Sequence, residues 1–282
     1  MRKVYFSFLV FVALSFLGCK STTVATPSVE PNIKSVKISA HRGGPLDGFP
    51  ENALETLKNT AKNVEGVMME IDVAQTNDSV LVLMHDKRLD RTTDLTGYLK
   101  DFSLENLKAG FIVNENNETT DFKIPTLKAV FDWTKNENVY LSLDIKDKTI
   151  FHRVVDLIKQ FEIVDKTEVI AYSIPDAEYI HDYDSQTNLS VSVGNEAVLK
   201  KLLNSKVNMA KVSIFTGLTL KEKSFYRKIR DNGMVVTLGT IGNLDKRAKT
   251  KGFQLFNDWA KLGIDRYATD YYLEVYNAIS KQ

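Results

Sequence analysis

Hydrophobic and polar positions follow two alternating patterns along the chain from residue 34 onward. Short runs rich in β-branched residues, which are typical of strands, alternate with longer segments whose apolar positions recur at helical spacing. The predicted strands are 35–40, 66–73, 80–85, 139–145, 168–172, 189–193, 210–214, 234–238 and 265–269. The predicted helices are 52–64, 126–136, 149–161, 175–182, 195–204, 220–231, 253–262 and 271–279.

This repeated alternation, over about 250 residues, predicts parallel strands joined by crossover helices. The length suits an α/β fold of the TIM-like (β/α)8 barrel type. Nine strand segments are one more than such a barrel needs, so one is surplus or belongs to a hairpin. A doubly wound open sheet is the alternative, although no glycine-rich phosphate loop follows the first strand.

Residues 69–86, MEIDVAQTNDSVLVLMHD, predict a β-hairpin around a central polar stretch. A turn at the middle of that stretch places Glu70 opposite His85. The same register places Asp72 opposite Leu83, so both carboxylates and the histidine project to one side. We therefore expect this hairpin to lie at the mouth of the barrel.

The two hairpin carboxylates are the first candidates for chemistry. Acids inside a barrel are costly unless they are paired or bind a metal, and carboxylate oxygens suit a hard cation such as Mg²⁺ or Ca²⁺. The alternative is that Glu70 and Asp72 lie on a solvated outer face. Asp144, near the end of strand 139–145, is a further candidate ligand, and Lys146 two residues later suits a phosphate. An internal Asp144–Lys146 ion pair explains that segment equally well.

Other candidates follow the first strand, where the chemistry of such barrels is found. His41 and Arg42 combine a titratable ring with a guanidinium suited to phosphate oxygens, and a tight turn around the next two glycines is the alternative. Glu51 is a third carboxylate near the barrel mouth. On physical grounds alone it is better explained by the positive end of the following helix, for which Asn52 is the predicted N-cap.

The N-terminus differs in composition from the rest. Two basic residues precede an apolar run that ends at the chain's one cysteine, Cys19, so we interpret 1–19 as a secretory signal. Gly-Cys at this point resembles a bacterial lipoprotein signal, with Phe16 where leucine is usual; an ordinary signal with an incidental cysteine is the alternative. Residues 20–33 predict a flexible tether and 34–282 the barrel domain. We expect an extracytoplasmic protein held at a membrane by a lipid on Cys19.

Charge excludes one class of partner. Lys and Arg number 37 against 36 Asp and Glu, for a net charge of +1. A protein that binds nucleic acid through its phosphates would show a basic excess, so we expect no such partner. The sequence predicts no oligomeric state.

Several motifs together carry a resemblance to a known family. They are AHRGG, PENALETL, MEIDVAQTNDSVLVLMHDKRLDRTT, LSLDIK and GIDRYATD. In this order they closely resemble the glycerophosphodiester phosphodiesterase family. The resemblance implies a TIM-like barrel that uses one divalent cation, Ca²⁺ or Mg²⁺. It also implies hydrolysis of a small glycerophosphodiester to an alcohol and sn-glycerol 3-phosphate.

The resemblance also implies roles for individual residues. His41 and His85 match the family's general acid and base. The matches to its phosphate ligands are Arg42 and Lys146. The matches to its acidic residues at the metal are Glu51, Glu70, Asp72 and Asp144, with Asp144 where the family usually has glutamate.

The chain also departs from the family pattern. Ala53 replaces a threonine, and Leu238 and Gly239 stand where a tryptophan is usual. An aromatic wall for the substrate is therefore missing or supplied elsewhere. Asp270 matches an aspartate at the last strand end, with either a structural or a substrate-contacting role. Two alternatives follow: a phosphodiesterase for another lipid-derived diester, such as a lysophospholipid, or a catalytically silent binding lipoprotein.

Overall fold

In the computed structural model, the described residues are 37–280, together with residues 1 and 35. The chain divides into two units, Met1–Glu30 and Pro31–Gln282, and every described strand and helix belongs to the second. Apart from Met1, the predicted signal and tether, with Cys19, lie outside the described residues. No helix within the described part is both long enough and apolar enough to cross a bilayer.

All nine predicted strands are confirmed, and eight of them close into a parallel barrel. The strands are β1 Ile38–Ala40, β2 Met68–Gln75, β3 Leu81–Leu83, β4 Tyr140–Ile145, β5 Thr167–Ala171, β6 Asn188–Ser192, β7 Val212–Phe215, β8 Val235–Gly239 and β9 Arg266–Thr269. Their order is β1-β9-β8-β7-β6-β5-β4-β2, and β1 also pairs with β2 to close the ring. The remaining strand, β3, is antiparallel to β2 and belongs to the hairpin. The fold is therefore a TIM barrel, and the open-sheet alternative is excluded.

The eight predicted helices are confirmed, and two more are present within the described residues. The helices are α1 Leu54–Asn63, α2 Leu104–Leu107, α3 Leu127–Asn136, α4 Phe151–Gln160, α5 Ile174–Tyr183, α6 Glu196–Leu203, α7 Lys223–Asp231, α8 Asn243–Lys251, α9 Leu255–Ala260 and α10 Tyr272–Ile279. The sequence analysis missed α2, which has a single turn, and α8. Helix α8 buries only Asp245 and Ala248, so its sequence lacks the apolar stripe that predicts a helix.

The predicted hairpin register is wrong by one residue. Leu83 lies opposite Val73 rather than Asp72. The physical reason is a five-residue turn: the Thr76 amide donates to the Val80 carbonyl at 3.0 Å, and the Thr76 hydroxyl accepts from the Val80 amide at 2.9 Å. The predicted pairing of Glu70 with His85 is also wrong, because β3 ends at Leu83 and His85 lies beyond the strand, where strand alternation does not set its direction.

Alternation along β2 separates two layers. Met69 and Ile71 join the main hydrophobic core between the strands and the helices. Met68 instead packs with Tyr140 in a separate cluster inside the barrel. Because side chains two residues apart share a face, Glu70 lies on the inner side with Met68. A solvated outer face for the hairpin acids is thus excluded.

The barrel interior carries a buried ion pair. Arg266, which is 1% exposed, donates from Nη1 to both carboxylate oxygens of Glu168, at 3.1 and 3.0 Å. The hydroxyls of Ser142 and Ser213 donate to the same carboxylate at 3.1 and 3.0 Å. Every oxygen of this buried acid therefore has donors.

Residues 86–125, between β3 and α3, form a lobe beside the barrel. Its apolar side chains, such as Leu89 and Ile112, share a hydrophobic cluster with Val82 of β3. Ala53, just before α1, is fully buried in the same cluster, so its small side chain packs the lobe against the barrel. This contact positions lobe residues at the barrel mouth.

Candidate active site at the barrel mouth

The His-Arg-Gly-Gly segment makes a tight turn that also faces the site. It leaves β1 as a 3₁₀ turn, His41–Gly43, with Arg42 in the left-handed region at φ 51°. A Cβ on Gly44, at φ 82°, would lie 2.7 Å from the Thr60 hydroxyl. In this conformation the Arg42 amide donates to Glu70 Oε2 at 2.7 Å. The tight turn and a functional role for this segment are therefore compatible, because the turn itself brings Arg42 to Glu70.

Three predicted carboxylates converge at the mouth. Asp72 of β2 lies in register beside Asp144 of β4, and Glu70 is on the same face one pleat below. Oxygen atoms of the three lie within 4.8 Å of one another, which makes this a group that could hold a metal ion among the described residues. Burial, followed by the charge of Asp72, raises the pKa of Glu70. Burial also raises the pKa of Asp144, against the lowering effect of the Tyr172 hydroxyl.

The donor set fits a hard divalent cation. Asp144 is 7% exposed, and within the described residues its Oδ1 has no hydrogen-bond partner. An orphaned buried carboxylate oxygen is costly, and two further acids beside it add repulsion. A cation that accepts oxygen ligands would relieve both costs. Glu70, Asp72 and Asp144 are therefore the residues that would hold it.

Asn52 orients Asp72, and its prediction as a helix N-cap is wrong. Helix α1 begins at Leu54, and its N-cap is Ala53, which makes no side-chain hydrogen bond. Asn52, at φ 57° and 4% exposed, instead donates from Nδ2 to Asp72 Oδ2 at 2.8 Å. Its Oδ1 accepts from the Asp72 amide at 3.0 Å. This two-way contact fixes the carboxylate and displaces the capping role.

Glu51 lies between two arginines, outside the group of three carboxylates. Arg42 Nη1 donates to its Oε2 at 2.9 Å, and Arg91 of the lobe donates to both oxygens at 2.8 and 2.9 Å. Burial raises the pKa of Glu51, but hydrogen bonds from Arg91 and the charge of Arg42 outweigh it and lower the pKa overall. Glu51 thus orients Arg42, and its predicted role at the metal stays a prediction.

Both predicted catalytic histidines are held through Nδ1 by a carboxylate. His41 Nδ1 lies 2.7 Å from Asp270 Oδ1, and His85 Nδ1 lies 2.6 Å from Asp86 Oδ1. Arg91 donates from Nε to Asp86 at 2.6 Å and is the largest cause that lowers the pKa of Asp86. Asp86 is therefore ionised and accepts the Nδ1 proton, which leaves Nε2 of His85 free to exchange a proton.

Both histidines also interact electrostatically with the acidic cluster. Burial lowers the pKa of His41, but the hydrogen bond with Asp270 and the charge of Glu70 outweigh it, so the pKa is raised. The charge of His85 lowers the pKa of Asp144, which places His85 beside the same cluster. Asp270 thus partners a histidine, a role that the sequence analysis left open.

Lys146 spans two of the acids. Its Nζ lies 3.2 Å from Asp72 Oδ1 and 3.7 Å from Asp144 Oδ2. The predicted Asp–Lys ion pair is therefore present, although Lys146 remains 46% exposed in its side chain. A half-exposed ammonium at the mouth can turn from these acids to a bound phosphate.

A cavity of about 660 Å³ of empty space, including its open mouth, connects these groups with apolar side chains. Its lining includes His41, Glu70, Asp144, Ile170, Tyr172, Phe215 and Ile241. Two aromatic rings thus line the cavity although the usual tryptophan is absent. Leu238 is fully buried, and a Cβ on Gly239 would lie 2.7 Å from the Phe215 ring. Phe215 therefore occupies the space beside Gly239.

Three residues of this site were not predicted from the sequence: Asp86, Arg91 and Tyr172. Asp86 directly follows His85, and Arg91 lies in the LDRTT segment, so motif and adjacency were available signals. Tyr172 directly follows β5, where the strand-end rule points to it. Its hydroxyl donates to Asp144 Oδ2 at 2.7 Å.

The fold is a TIM barrel with a candidate metal-dependent site at its mouth. That site combines the acidic cluster with two histidines, each of which is paired with a carboxylate. The family model for the glycerophosphoryl diester phosphodiesterase family matches residues 41–251. The chain belongs to this family. Residues 41–251 contain all eight predicted site residues of the barrel domain.

Individual relatives agree with that assignment. Human glycerophosphodiester phosphodiesterase 1 is 36% identical over 170 residues, covering 57% of this chain and 48% of the relative. The chain spans about half the length of the curated relatives that it matches. A glycerophosphoryl diester phosphodiesterase from Parabacteroides distasonis superposes with a TM-score of 0.80 at 24% identity, over 89% of this chain and 87% of that one.

A third similar protein was solved with a bound product. It is an Oleispira antarctica phosphodiesterase in complex with sn-glycerol-3-phosphate, with a TM-score of 0.68 and 22% identity. The match covers 87% of this chain and 97% of that one. At these identities both structural matches show a shared fold.

Proposed function

We propose that this protein hydrolyses glycerophosphodiesters to an alcohol and sn-glycerol 3-phosphate. One observation carries the proposal: three convergent carboxylates lie beside two histidines that are each held through Nδ1 by a further carboxylate. Membership of the family supports it, as does the product bound to the similar Oleispira antarctica protein.

We further propose one divalent cation, Ca²⁺ or Mg²⁺, held by Glu70, Asp72 and Asp144. The support is the spacing of their oxygens and the orphaned Asp144 Oδ1. When bound, the cation would neutralise charge on the non-bridging oxygens of the phosphate. Glu51 stays a candidate for direct or indirect contact with it.

The remaining chemistry belongs to side chains of this chain. Arg42 and Lys146 bind the phosphate oxygens and stabilise the charge that develops there. Nε2 of one histidine takes the proton from the attacking hydroxyl as its oxygen bonds to phosphorus. That hydroxyl belongs either to water or to the substrate's own glycerol, and in the second case water then opens the cyclic phosphate to sn-glycerol 3-phosphate. Nε2 of the other gives a proton to the departing alkoxide as the old P–O bond breaks. Such proton transfer contributes about 10²–10⁴-fold in rate.

A second candidate substrate is a related diester that carries an apolar chain, such as a lysophospholipid. Its support is the apolar side of the cavity, where Phe215 and Ile241 line the wall. Leu218, which is 50% exposed, lies next to Phe215 around Gly239 and extends this apolar surface toward solvent. An apolar chain on the substrate would pack against this surface.

The test measures release of sn-glycerol 3-phosphate from glycerophosphocholine and glycerophosphoethanolamine. Chelated protein should be inactive, and Ca²⁺ or Mg²⁺ should restore release. Phosphate-containing product from lysophosphatidylcholine at a higher kcat/KM would favour the second substrate. No product from any of the three substrates with either cation would contradict the enzymatic function.

The predicted location is also a proposal. We propose that Cys19 carries a lipid that anchors the barrel domain to a membrane outside the cytoplasm, facing the periplasm or the cell surface. Cells expressing the full chain should incorporate labelled fatty acid into it, and Cys19→Ser should abolish the label. A labelled Cys19→Ser variant, or an unlabelled wild type, would contradict the anchor.

A further inference from the structure

Tyr172 holds an unusual position between two fixed elements. It follows the last residue of β5 and precedes Ser173, whose hydroxyl caps α5 by accepting from the Asp176 amide. The tyrosine is 55% exposed, yet its hydroxyl donates to Asp144 Oδ2 at 2.7 Å. The residue as a whole is open to solvent, but its hydroxyl is engaged by a buried acid.

The three carboxylates of the candidate metal site share one arrangement. Each accepts a hydrogen bond from a group that is not itself a candidate ligand, and Asp72 accepts a second one, on Oδ1, from Lys146 Nζ at 3.2 Å. The donors are the Arg42 amide to Glu70 Oε2, Asn52 Nδ2 to Asp72 Oδ2, and the Tyr172 hydroxyl to Asp144 Oδ2. For Asp144 the consequence is explicit, because the other oxygen, Oδ1, is buried without a partner among the described residues.

We propose that Tyr172 is a positioning residue for the cation site. Its hydroxyl occupies Asp144 Oδ2 and so turns Oδ1 toward the cation, while its ring forms one wall of the substrate cavity. The inference rests on the proposed cation site and adds a residue that acts on it through Asp144. Tyr172 is also the accessible donor of the three, since Asn52 is buried and Arg42 acts through its backbone.

The two roles of Tyr172 are separable by substitution. Tyr172→Phe removes the hydroxyl and keeps the ring, whereas Tyr172→Ala removes both. Loss of a group that orients a metal ligand typically weakens metal affinity by about 10–100-fold. We therefore expect Tyr172→Phe to weaken Ca²⁺ or Mg²⁺ binding by about that factor. At saturating cation its KM should stay within about twofold, while that of Tyr172→Ala should rise because the wall is lost.

Tyr183 supplies a matched control. It is also an exposed tyrosine, 42% accessible, and its hydroxyl donates to an aspartate, Asp156, at 2.7 Å. That pair joins α4 and α5 and includes none of the candidate site residues. Tyr183→Phe should leave the cation dissociation constant unchanged.

The experiment is calorimetric titration of the chelated full chain with Ca²⁺ and with Mg²⁺, for wild type, both Tyr172 variants and Tyr183→Phe. Weaker binding in Tyr172→Phe alone of the two phenylalanine variants would support the inference. Binding as tight as wild type, or tighter, would overturn it and leave the proposed function standing. A wild type that binds neither cation would overturn both.

Discussion

Two clusters of buried charge lie in the same barrel and are built in opposite ways. In the interior, Glu168 faces Arg266 and two serine hydroxyls, so a full charge is matched and every carboxylate oxygen is bonded. At the mouth, Glu70, Asp72 and Asp144 face each other, and Lys146 is half exposed. The first cluster is complete without a ligand, whereas the second has more negative charge than its neighbours balance.

The contrast teaches how to interpret an acid on a barrel strand. Burial is common to Glu168 and Asp144, which are 3% and 7% exposed, so burial alone does not indicate chemistry. Compensation distinguishes them, because a buried ion pair is stable only when hydrogen bonds satisfy both partners. An acid with an orphaned oxygen beside two other acids is a candidate cation ligand.

The largest expected effect is on catalysis at the mouth. His85→Ala should lower the rate of hydrolysis by about 10²–10⁴-fold, because it removes one proton-transfer group. Cation binding should persist, since the three candidate ligands are Glu70, Asp72 and Asp144 and do not include His85. Steady-state kinetics and calorimetry on one preparation would check both, with His152→Ala on α4 as the control. Activity within threefold of wild type would contradict the acid–base role.

A comparable effect on stability is expected in the interior. Glu168→Gln removes the negative charge that balances the buried Arg266. It should therefore lower the free energy of unfolding by about 3–5 kcal/mol. Urea titration would measure it. Glu196→Gln, in the exposed pair with Lys228, should change stability by less than about 1 kcal/mol. Equal changes in the free energy of unfolding for the two variants would show that burial does not make the interior ion pair more important for stability than an exposed one.

The same change at the mouth should have the opposite sign. In cation-free protein at pH 8, Glu70→Gln should raise the free energy of unfolding by on the order of 1 kcal/mol, because it removes a buried charge that repels Asp72. It should also abolish cation binding. Urea titration with a chelator checks the first result and calorimetry the second. If Glu70→Gln destabilised the protein as much as Glu168→Gln, the mouth acids would be as well compensated as the interior acid, and the proposed difference between the clusters would be contradicted.

The smallest expected effect is the proton released on cation binding, which links the site to pH. Burial and the charge of Asp72 raise the pKa of Glu70 from 4.5 to about 8, so between these values the folded cation-free protein binds more protons than the unfolded chain. Its stability should therefore fall as pH rises through this window, and cation binding should release a proton within it. Calorimetry in two buffers of different ionisation enthalpy measures that release. Absence of proton release by the wild type at pH 7 would contradict the assignment.

Much of this architecture was predictable from local patterns. The nine strands follow from β-branched runs, and strand ends pointed to His41 and Asp144 because the chemistry of a TIM barrel lies there. The acids of β2 were recognisable because a two-residue period placed both on one face. These signals need only neighbouring residues.

The remainder depends on contacts between distant segments. The hairpin register follows from the Thr76 side chain, which lengthens the turn by one residue. Asn52 leaves the predicted cap because Asp72, twenty residues away, offers a better partner. Arg91 reaches Glu51 across forty residues only because the lobe packs on the barrel. No local period encodes such pairings, and α8 lacks the apolar stripe that would have predicted it.

We propose that the mouth cluster takes a cation and that the interior cluster does not. Anomalous diffraction from crystals soaked in Mn²⁺, which substitutes for Mg²⁺ on oxygen ligands, tests it most directly. We expect one peak within coordination distance of Glu70, Asp72 and Asp144, with none beside Glu168. A peak elsewhere, or none at the mouth, would contradict it.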